Sequence, residues 1–272
     1  MGKIIAVVNQ KGGVGKTTTA INVAAALALN GLDTLLVDCD PQTNASGGLG
    51  VPRNQERHSL YDVLLGEVTA ADATLPTTIE RLSIIPSSKD LIGANFDLAS
   101  QKRREYRLRD MLEPIRDTYP FILIDCPPAL DLLTLNALVA ADTLLVPMQA
   151  EYFALEGVSE LMGTLDRVAG AFQPDLALEG VVLTMFDPRT SLSQQVAENL
   201  RSFFGSKVYT TTIPRNVRVA EAPSHGLPVV AYDSKSRGAE AYFDLTRELL
   251  AQNDHLVASA KANGSRAKPT TD

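Results

Sequence analysis

The chain has 272 residues, 45% hydrophobic and 21% charged, which suits a single globular domain with a substantial core, predicted over residues 1–252. Its net charge of −7 argues against a protein that coats nucleic acid over its whole surface, and two cysteines are too few for a disulfide framework. No apolar run approaches the roughly 20 residues that span a bilayer, and the N-terminal segment enters a strand pattern without a cleavage site. These features predict a cytoplasmic protein with no membrane partner.

Short apolar runs alternate with longer helical patterns along the chain. The runs predict strands at residues 4–8, 34–37, 82–85, 121–124, 143–146, 180–184 and 208–212. The helical patterns cover residues 16–29, 89–119, 154–170, 192–204 and 237–251. Because several strands are apolar throughout and helices separate them, we predict an α/β fold: a doubly wound, mostly parallel sheet with helices on both faces. The polar composition of residues 253–272 predicts a disordered tail.

A glycine-rich turn joins the first predicted strand to the first predicted helix. It reads Lys11-Gly12-Gly13-Val14-Gly15-Lys16-Thr17-Thr18. Glycines let backbone N–H groups converge on phosphate oxygens, and the start of a helix adds a partial positive charge. In a loop of this kind, Lys16 bridges the β- and γ-phosphates and the Thr17 hydroxyl binds Mg²⁺. The turn therefore predicts a site for ATP and Mg²⁺.

Three aspartates follow predicted strands. Asp38 and Asp40 end the strand at 34–37, and Asp125 ends the strand at 121–124. Ligands of open parallel sheets bind at the carboxyl ends of the strands. Asp125 is expected to reach the Mg²⁺ shell through water, and Asp40 begins a segment typical of a switch that senses the γ-phosphate. Taken singly, each aspartate is also compatible with a solvated turn residue.

The phosphate loop departs from the common pattern, because Gln10 stands where that pattern has glycine and Lys11 follows it directly. With this early lysine, the loop and segments 38–42 and 125–128 resemble the motifs of the ParA/MinD superfamily of deviant-Walker P-loop proteins. Further segments resemble its ParA/Soj branch of chromosome-partitioning ATPases: 183–190, 213–218, 221–226 and 236–239. The resemblance covers nearly the whole chain, from residue 3 to about residue 250.

The resemblance implies an ATPase that forms a homodimer with ATP. Its candidate catalytic residues are Lys11, which in the family reaches the partner subunit's nucleotide, Lys16, and Asp40, which orients or activates the attacking water. Asp38 would support the metal and the loop. Hydrolysis would be slow alone and stimulated by DNA and a ParB-type centromere-binding protein, and the ATP state would associate with the nucleoid.

The resemblance also assigns residues outside the phosphate loop. Pro214 and Asn216 would contact adenine, although a Pro-Asx turn or a helix cap explains them equally well. Arg189 and Arg218 match positions that the family uses on double-stranded DNA, without sequence preference; Arg215 and Lys235 are weaker candidates. Because residues 185–240 carry seven Lys/Arg against five Asp/Glu, a solvated basic face is the alternative.

Two other protein classes share parts of this pattern. A MinD-like, membrane-associated ATPase for division-site placement would need a terminal amphipathic helix, and the tail offers only Leu256 and Val257 as large apolar residues. An iron–sulfur protein would need cysteines shared across a dimer or spaced as CxxC, whereas Cys39 and Cys126 are predicted to be small buried hydrophobes. Intact loop and aspartate motifs argue against a binding module that lacks ATPase activity.

Overall fold

The computed structural model of the chain describes residues 1–52, 57–151 and 154–258. In this part of the chain, one sheet of eight strands organises the fold. The strands are β1 Lys3–Val7, β2 Thr34–Asp38, β3 Leu75–Pro76, β4 Leu82–Ile85, β5 Phe121–Asp125, β6 Thr143–Gln149, β7 Ala177–Phe186 and β8 Val208–Pro214. Their order across the sheet is β3-β4-β2-β5-β1-β6-β7-β8, and every neighbouring pair is parallel except β3 and β4.

The predicted α/β fold is confirmed, and all seven predicted strands are present. Strands β2 and β5 lie inside the sheet and are buried at every residue, as expected for runs that are apolar on both faces. Strand β3 was not predicted, because a two-residue strand that contains Pro76 lacks the period-two pattern of a longer strand.

Helices connect the strands and cover the sheet. They are α1 Lys16–Leu29, α2 Asn44–Gly48, α3 Leu60–Leu65, α4 Ala70–Ala73, α5 Ala94–Asp97, α6 Arg107–Leu112, α7 Leu132–Ala140, α8 Ala154–Ala171, α9 Ser191–Phe204, α10 Val217–Glu221, α11 Val229–Tyr232 and α12 Arg237–Gln252. In the part of the chain that the structure describes, none of them is both long and apolar enough to cross a membrane.

The segment 89–119, predicted to be helical in character, is helical only in short pieces. This segment contains α5, α6 and three short 3₁₀ helices, at Lys89–Ile92, Arg104–Tyr106 and Glu113–Thr118. Arg103 interrupts it with a positive φ of 56°, and Pro114 lacks the N–H group that a continuing helix would use. The helical composition of the segment therefore does not extend into one continuous hydrogen-bond ladder.

Successive residues of β1 point to opposite faces of the sheet and enter two hydrophobic cores. Ile4 and Ala6 pack with buried side chains of α7 and α8, whereas Ile5 and Val7 pack with those of α1 and α12. Each fully buried Leu or Ile stabilises such a core by about 1.5–3 kcal/mol. The two cores fix α1 against the sheet, and with it the loop that precedes α1.

The prediction of a disordered tail from residue 253 is wrong for its first part. Asn253 is buried, donates to Glu179 Oε1 at 2.7 Å and accepts from Lys3 Nζ at 2.6 Å. Leu256 and Val257 pack against the core that contains α1 and α12. Residues 253–258 therefore belong to the packed domain, and the predicted tail over 259–272 lies outside the described residues.

Candidate nucleotide-binding site

The predicted phosphate loop lies between the end of β1 and the start of α1. Gly13 and Gly15 have φ values of 75° and 89°, in the left-handed region that is strained for residues with a Cβ. A Cβ added to Gly12 or Gly13 would meet nothing within 4 Å. The glycines thus give the loop its backbone shape and leave open space beside it, which is what a ligand approaching the backbone requires.

Two polar side chains that the sequence analysis did not identify hold this loop. Asn9 Nδ2 donates to Pro147 O at 2.8 Å, and Asn9 Oδ1 accepts from Lys11 N at 2.9 Å. Thr184 Oγ1 donates to Val14 O at 2.7 Å. Asn9 directly follows β1 and could have been suspected for that reason, but Thr184 comes from a distant strand and carries no local signal.

Lys16 is nearly enclosed, with 7% of its surface exposed. Its Nζ donates to Lys11 O at 3.0 Å, so the ammonium lies inside the loop. Burial lowers the pKa of Lys16, and the charges of Asp125 and Asp40 counteract this effect. The loop therefore holds a buried cation where phosphate oxygens would arrive.

The side chain of Lys11, unlike that of Lys16, lies outside the loop. It is 51% exposed and forms an ion pair with Glu151, in the segment between β6 and α8. The ammonium of Lys11 therefore makes this contact outside the loop. Glu151 is a third residue that was not predicted from the sequence, since nothing local marks it as a partner of Lys11.

Asp38 and Asp125 are register partners on the adjacent strands β2 and β5, and both are fully buried. Asp38 accepts hydrogen bonds from Ser46 N at 2.7 Å, Ser46 Oγ at 2.6 Å and Asp40 N at 3.2 Å. Burial raises the pKa of Asp38 to about 6, although these hydrogen bonds oppose the rise. Asp38 therefore fixes the start of α2 against the end of β2.

Asp125 differs from Asp38, because neither of its carboxylate oxygens has a hydrogen-bond partner among the described residues. Burial and then the charge of Asp38 raise the pKa of Asp125 well above its usual range. The nearby Thr17 hydroxyl lowers that pKa, but its geometry falls short of a hydrogen bond. An unpartnered buried carboxylate is costly, and a bound cation would remove this cost.

Asp40 lies at the beginning of the turn that leads from β2 to α2. Its Oδ1 accepts from Gln42 N at 2.9 Å, and its carbonyl oxygen accepts from Ser87 Oγ at 2.7 Å. Thr43, just before α2, has a φ of 58°, which is uncommon for a β-branched residue. The segment that carries Asp40 is thus held in a specific turn above the carboxyl ends of β2 and β4.

A cavity of about 440 Å³ opens beside the phosphate loop, a size that suits a small-molecule ligand. Gly15, Thr18, Pro214, Asn216 and Tyr242 are among its lining residues. Asn216 Oδ1 caps α10 by accepting from Arg218 N at 2.9 Å, as the alternative interpretation of this residue predicts. Its Nδ2 donates to no atom of the described residues, so the cap and a ligand contact are compatible.

The four candidate DNA-binding residues lie near the carboxyl ends of β7 and β8, but two of them are already paired. Arg189 forms an ion pair with Asp187, and Arg218 forms ion pairs with Glu221 and Asp233. Arg215 and Lys235 are exposed, and Arg215 also lines the cavity beside the loop. The predicted basic face is therefore interspersed with carboxylates.

Among the described residues, no group of three or more His, Cys, Asp or Glu side chains could hold a metal ion by itself. Mg²⁺ commonly takes one or two protein ligands together with water and substrate phosphates. A metal at Asp125 and Thr17 would accordingly depend on oxygens from a bound nucleotide.

Comparisons with known proteins agree with this geometry. A family model described as "AAA domain" matches residues 2–178. The chain is 53% identical over 260 residues to the chromosome partitioning protein ParA of Caulobacter vibrioides, covering 95% of this chain and 97% of that protein. It is 51% identical over 251 residues to the sporulation initiation inhibitor protein Soj of Bacillus subtilis, with coverages of 92% and 99%.

Solved structures share the fold. Cobyrinic acid a,c-diamide synthase from Mycobacterium smegmatis, with bound ATP analog and magnesium, superimposes with a TM-score of 0.82. It is 36% identical to the chain and covers 92% of it, and the chain covers 94% of that structure.

Proposed function

Because the chain belongs to the ParA/Soj family of chromosome partitioning proteins, we propose that it is an ATP-dependent switch for the partitioning of chromosomes or plasmids. The ATP state is a homodimer that holds double-stranded DNA without sequence preference. Hydrolysis to ADP and phosphate, slow in the protein alone, ends this state when a ParB-type partner and DNA stimulate it.

The observation that carries the proposal is the unpartnered carboxylate of Asp125 beside the Gly12–Lys16 loop. Both of its oxygens are buried without a hydrogen bond, next to the cation of Lys16 and the hydroxyl of Thr17. This arrangement fits Mg²⁺ with a nucleoside triphosphate: Thr17 would hold the ion directly and Asp125 would hold it through water. When bound, Mg²⁺ would offset the negative charge of the phosphates.

The remaining residues of the site have separate roles in the proposal. Lys16 and the backbone of residues 11–18 bind the phosphates, and the cavity beside Pro214 and Asn216 receives adenine. Asp40 orients or activates the attacking water. Its backbone contacts with Asp38 and Ser87 would keep its carboxylate in position above the loop.

The proposed dimer rests on Lys11. Because its ammonium is half exposed and makes its ion pair outside its own loop, it is available to a nucleotide bound by the partner subunit. ATP places several negative charges at such an interface, and a cation from each subunit would offset them. The dimer would carry two copies of each candidate DNA-binding residue: Arg189, Arg215, Arg218 and Lys235. These cations would bind DNA phosphates and bring the ATP state to the nucleoid.

The MinD-like alternative is less well supported. Relatives at 53% and 51% identity bear the names ParA and Soj. Leu256 and Val257, the large apolar residues that a terminal membrane helix would use, pack against the core of this domain.

The proposal is tested by ATP turnover and light scattering on the full chain and on Asp40→Ala. The variant is expected to bind ATP, form a stable dimer and remain on duplex DNA, because it loses hydrolysis and retains binding. Wild-type turnover is expected to rise with DNA and the ParB-type protein.

A variant that stays monomeric with ATP at high protein concentration would rule out the dimer. Normal turnover in Asp40→Ala would remove Asp40 from the mechanism.

A further inference from the structure

Five exposed cations lie around the carboxyl ends of β7 and β8 and the start of α12: Arg189, Arg215, Arg218, Lys235 and Arg237. Two contacts join these segments into one surface. Phe186 of β7 is the register partner of Pro214 of β8, and Gly238 packs closely against Asn216 and Val219. We refer to the surface that bears these five cations as the basic face.

Arg189 is held by a carboxylate two residues earlier. Its Nε donates to Asp187 Oδ1 at 2.9 Å and its Nη2 donates to Asp187 Oδ2 at 2.8 Å, so both oxygens are used. Asp187 Oδ1 also accepts from Arg189 N at 3.0 Å. The hydrogen bonds of Arg189 lower the pKa of Asp187 to about 2, so this carboxylate stays ionised throughout the neutral range. The local charge of Arg189 is therefore cancelled.

Arg218 is restrained from two sides. Its Nη1 lies 2.8 Å from Glu221 Oε2, one helical turn away, and its Nε lies 3.3 Å from Asp233 Oδ2. The two carboxylates come from different segments and engage different nitrogens of the guanidinium group. Around Arg218 the balance of charge is negative.

The other three cations are different. Arg215, Lys235 and Arg237 are exposed and form no ion pair with any described residue. They present their full charge to an approaching polyanion. The basic face thus contains cations of two kinds, unpaired and carboxylate-restrained.

We propose that Asp187 and Glu221 are built-in competitors of DNA phosphate on the basic face, and that they limit the affinity of the switch for DNA. The inference rests on the proposed DNA binding. Arg215, Lys235 and Arg237 make the standing phosphate contacts. Arg189 and Arg218 contribute to DNA binding only after each replaces a carboxylate partner with a phosphate. This replacement adds little net positive charge to the contact between protein and DNA. Because each contact is weak, DNA binding depends on the two copies of the basic face in the dimer, and a monomer dissociates from DNA.

The competition has a measurable consequence, because DNA affinity depends on the number of cations that replace counterions on the duplex. In the ATP-loaded Asp40→Ala dimer, Asp187→Asn and Glu221→Gln keep the size and shape of each side chain and remove its charge. Each is expected to tighten binding to a random-sequence duplex by about three- to tenfold at moderate salt, and to steepen the salt dependence by up to about one counterion per subunit. Arg237→Ala is expected to weaken binding.

The matched control is Asp33→Asn. Asp33 pairs with Arg81 in an exposed ion pair before β2 and β4, at the opposite edge of the sheet. The substitution changes the net charge by the same amount and frees one arginine, but far from the basic face. Unchanged DNA affinity is expected, and an equal gain would mean that net charge alone explains the effect and would overturn the inference.

A double-mutant cycle separates competition from general repulsion. If Asp187 acts by holding Arg189, the gain from Asp187→Asn is expected to disappear in an Arg189→Ala background. A gain that persists there overturns the inference, as does unchanged affinity in both Asp187→Asn and Glu221→Gln while the reference dimer binds DNA. A reference dimer that binds no DNA at moderate or low salt contradicts the proposed function itself.

Discussion

Asp38 and Asp125 lie opposite each other on β2 and β5, fully buried, yet Asp38 accepts three hydrogen bonds and Asp125 accepts none from the described residues. The same residue type at neighbouring strand ends therefore has two different tasks. Asp38 uses its lone pairs to hold the turn at Ser46, whereas Asp125 keeps its lone pairs free. The free carboxylate destabilises the chain without ligand, because it accepts no hydrogen bond and the nearby Lys16 charge offsets only part of the cost of its burial.

Asp125→Asn is expected to stabilise the ligand-free protein at neutral pH by about 1–2 kcal/mol, since it removes a buried charge. The same change is expected to weaken ATP binding in the presence of Mg²⁺ and to leave binding in EDTA nearly unchanged. Urea unfolding and nucleotide titration check both effects. The prediction fails if the variant is less stable than the wild type and binds ATP with Mg²⁺ equally well.

The raised pKa values of Asp38 and Asp125 also set the sign of a pH effect. The folded state binds protons more tightly than the unfolded state, so the contribution of the pair to stability is greatest below the unfolded pKa and is lost as pH rises through the folded values, about 6 for Asp38. The stability advantage of Asp125→Asn is therefore expected to be large near pH 8 and small near about pH 5. Urea unfolding of both proteins at the two pH values measures it, and an advantage that grows in acid would contradict the assignment.

Lys16→Ala and Gly12→Val are expected to fail at different steps. Loss of the buried Lys16 ammonium removes a charge-assisted contact to phosphate and is expected to weaken ATP binding by about 10- to 100-fold. A Cβ at Gly12 would meet no atom of the described residues within 4 Å, so ATP binding is expected to persist while a β-branched group obstructs the proposed dimer interface. ATP binding by fluorescence and dimerisation by light scattering separate the two. Gly170→Val, at another exposed glycine with open space, is the control.

Glu151→Gln is expected to favour the proposed ATP dimer slightly, because it releases Lys11 from its ion pair within the chain. Both side chains are about half exposed, so the gain is limited to about 1 kcal/mol, or roughly fivefold in the dimerisation constant. Glu160→Gln, which removes an exposed carboxylate from α8, controls for net charge. Sedimentation of the Asp40→Ala background with ATP gives the constants, and equal values for the two glutamine variants would exclude a role for this ion pair.

Asn253 fastens the C-terminal end of the domain to the start of β1 and β7. Its side chain joins Lys3 Nζ and Glu179 Oε1, and Lys3 lies 2.6 Å from Glu179 Oε2. Asn253→Ala removes one hydrogen bond from each of these partners, which then keep their ion pair with each other, and it is expected to lower the free energy of unfolding by about 1–3 kcal/mol. The exposed neighbour Gln252 provides the control, since Gln252→Ala is expected to change it by less than about 0.5 kcal/mol. Equal effects in urea unfolding would mean that Asn253 has no anchoring role.

Seven of the eight described strands, the phosphate loop and the aspartates at the strand ends could be predicted from the sequence. Each of these features depends on the local sequence. A buried parallel strand needs an apolar run, and the positive φ values at Gly13 and Gly15 favour glycine. Asp38 and Asp125 follow their strands directly. Because parallel strands end at the same edge of a sheet, the residues that directly follow these strands were expected to lie along that edge.

The partner of each polar group depends on how distant segments of the chain pack together. The contacts of Lys11 with Glu151 and of Val14 with Thr184 join residues more than a hundred positions apart, and no local pattern encodes them. The difference between Asp38 and Asp125 depends on Ser46, which the turn after β2 brings to one carboxylate and not to the other. The break at Arg103 likewise depends on packing, because the helical propensity of residues 89–119 is a weak local preference that tertiary contacts override.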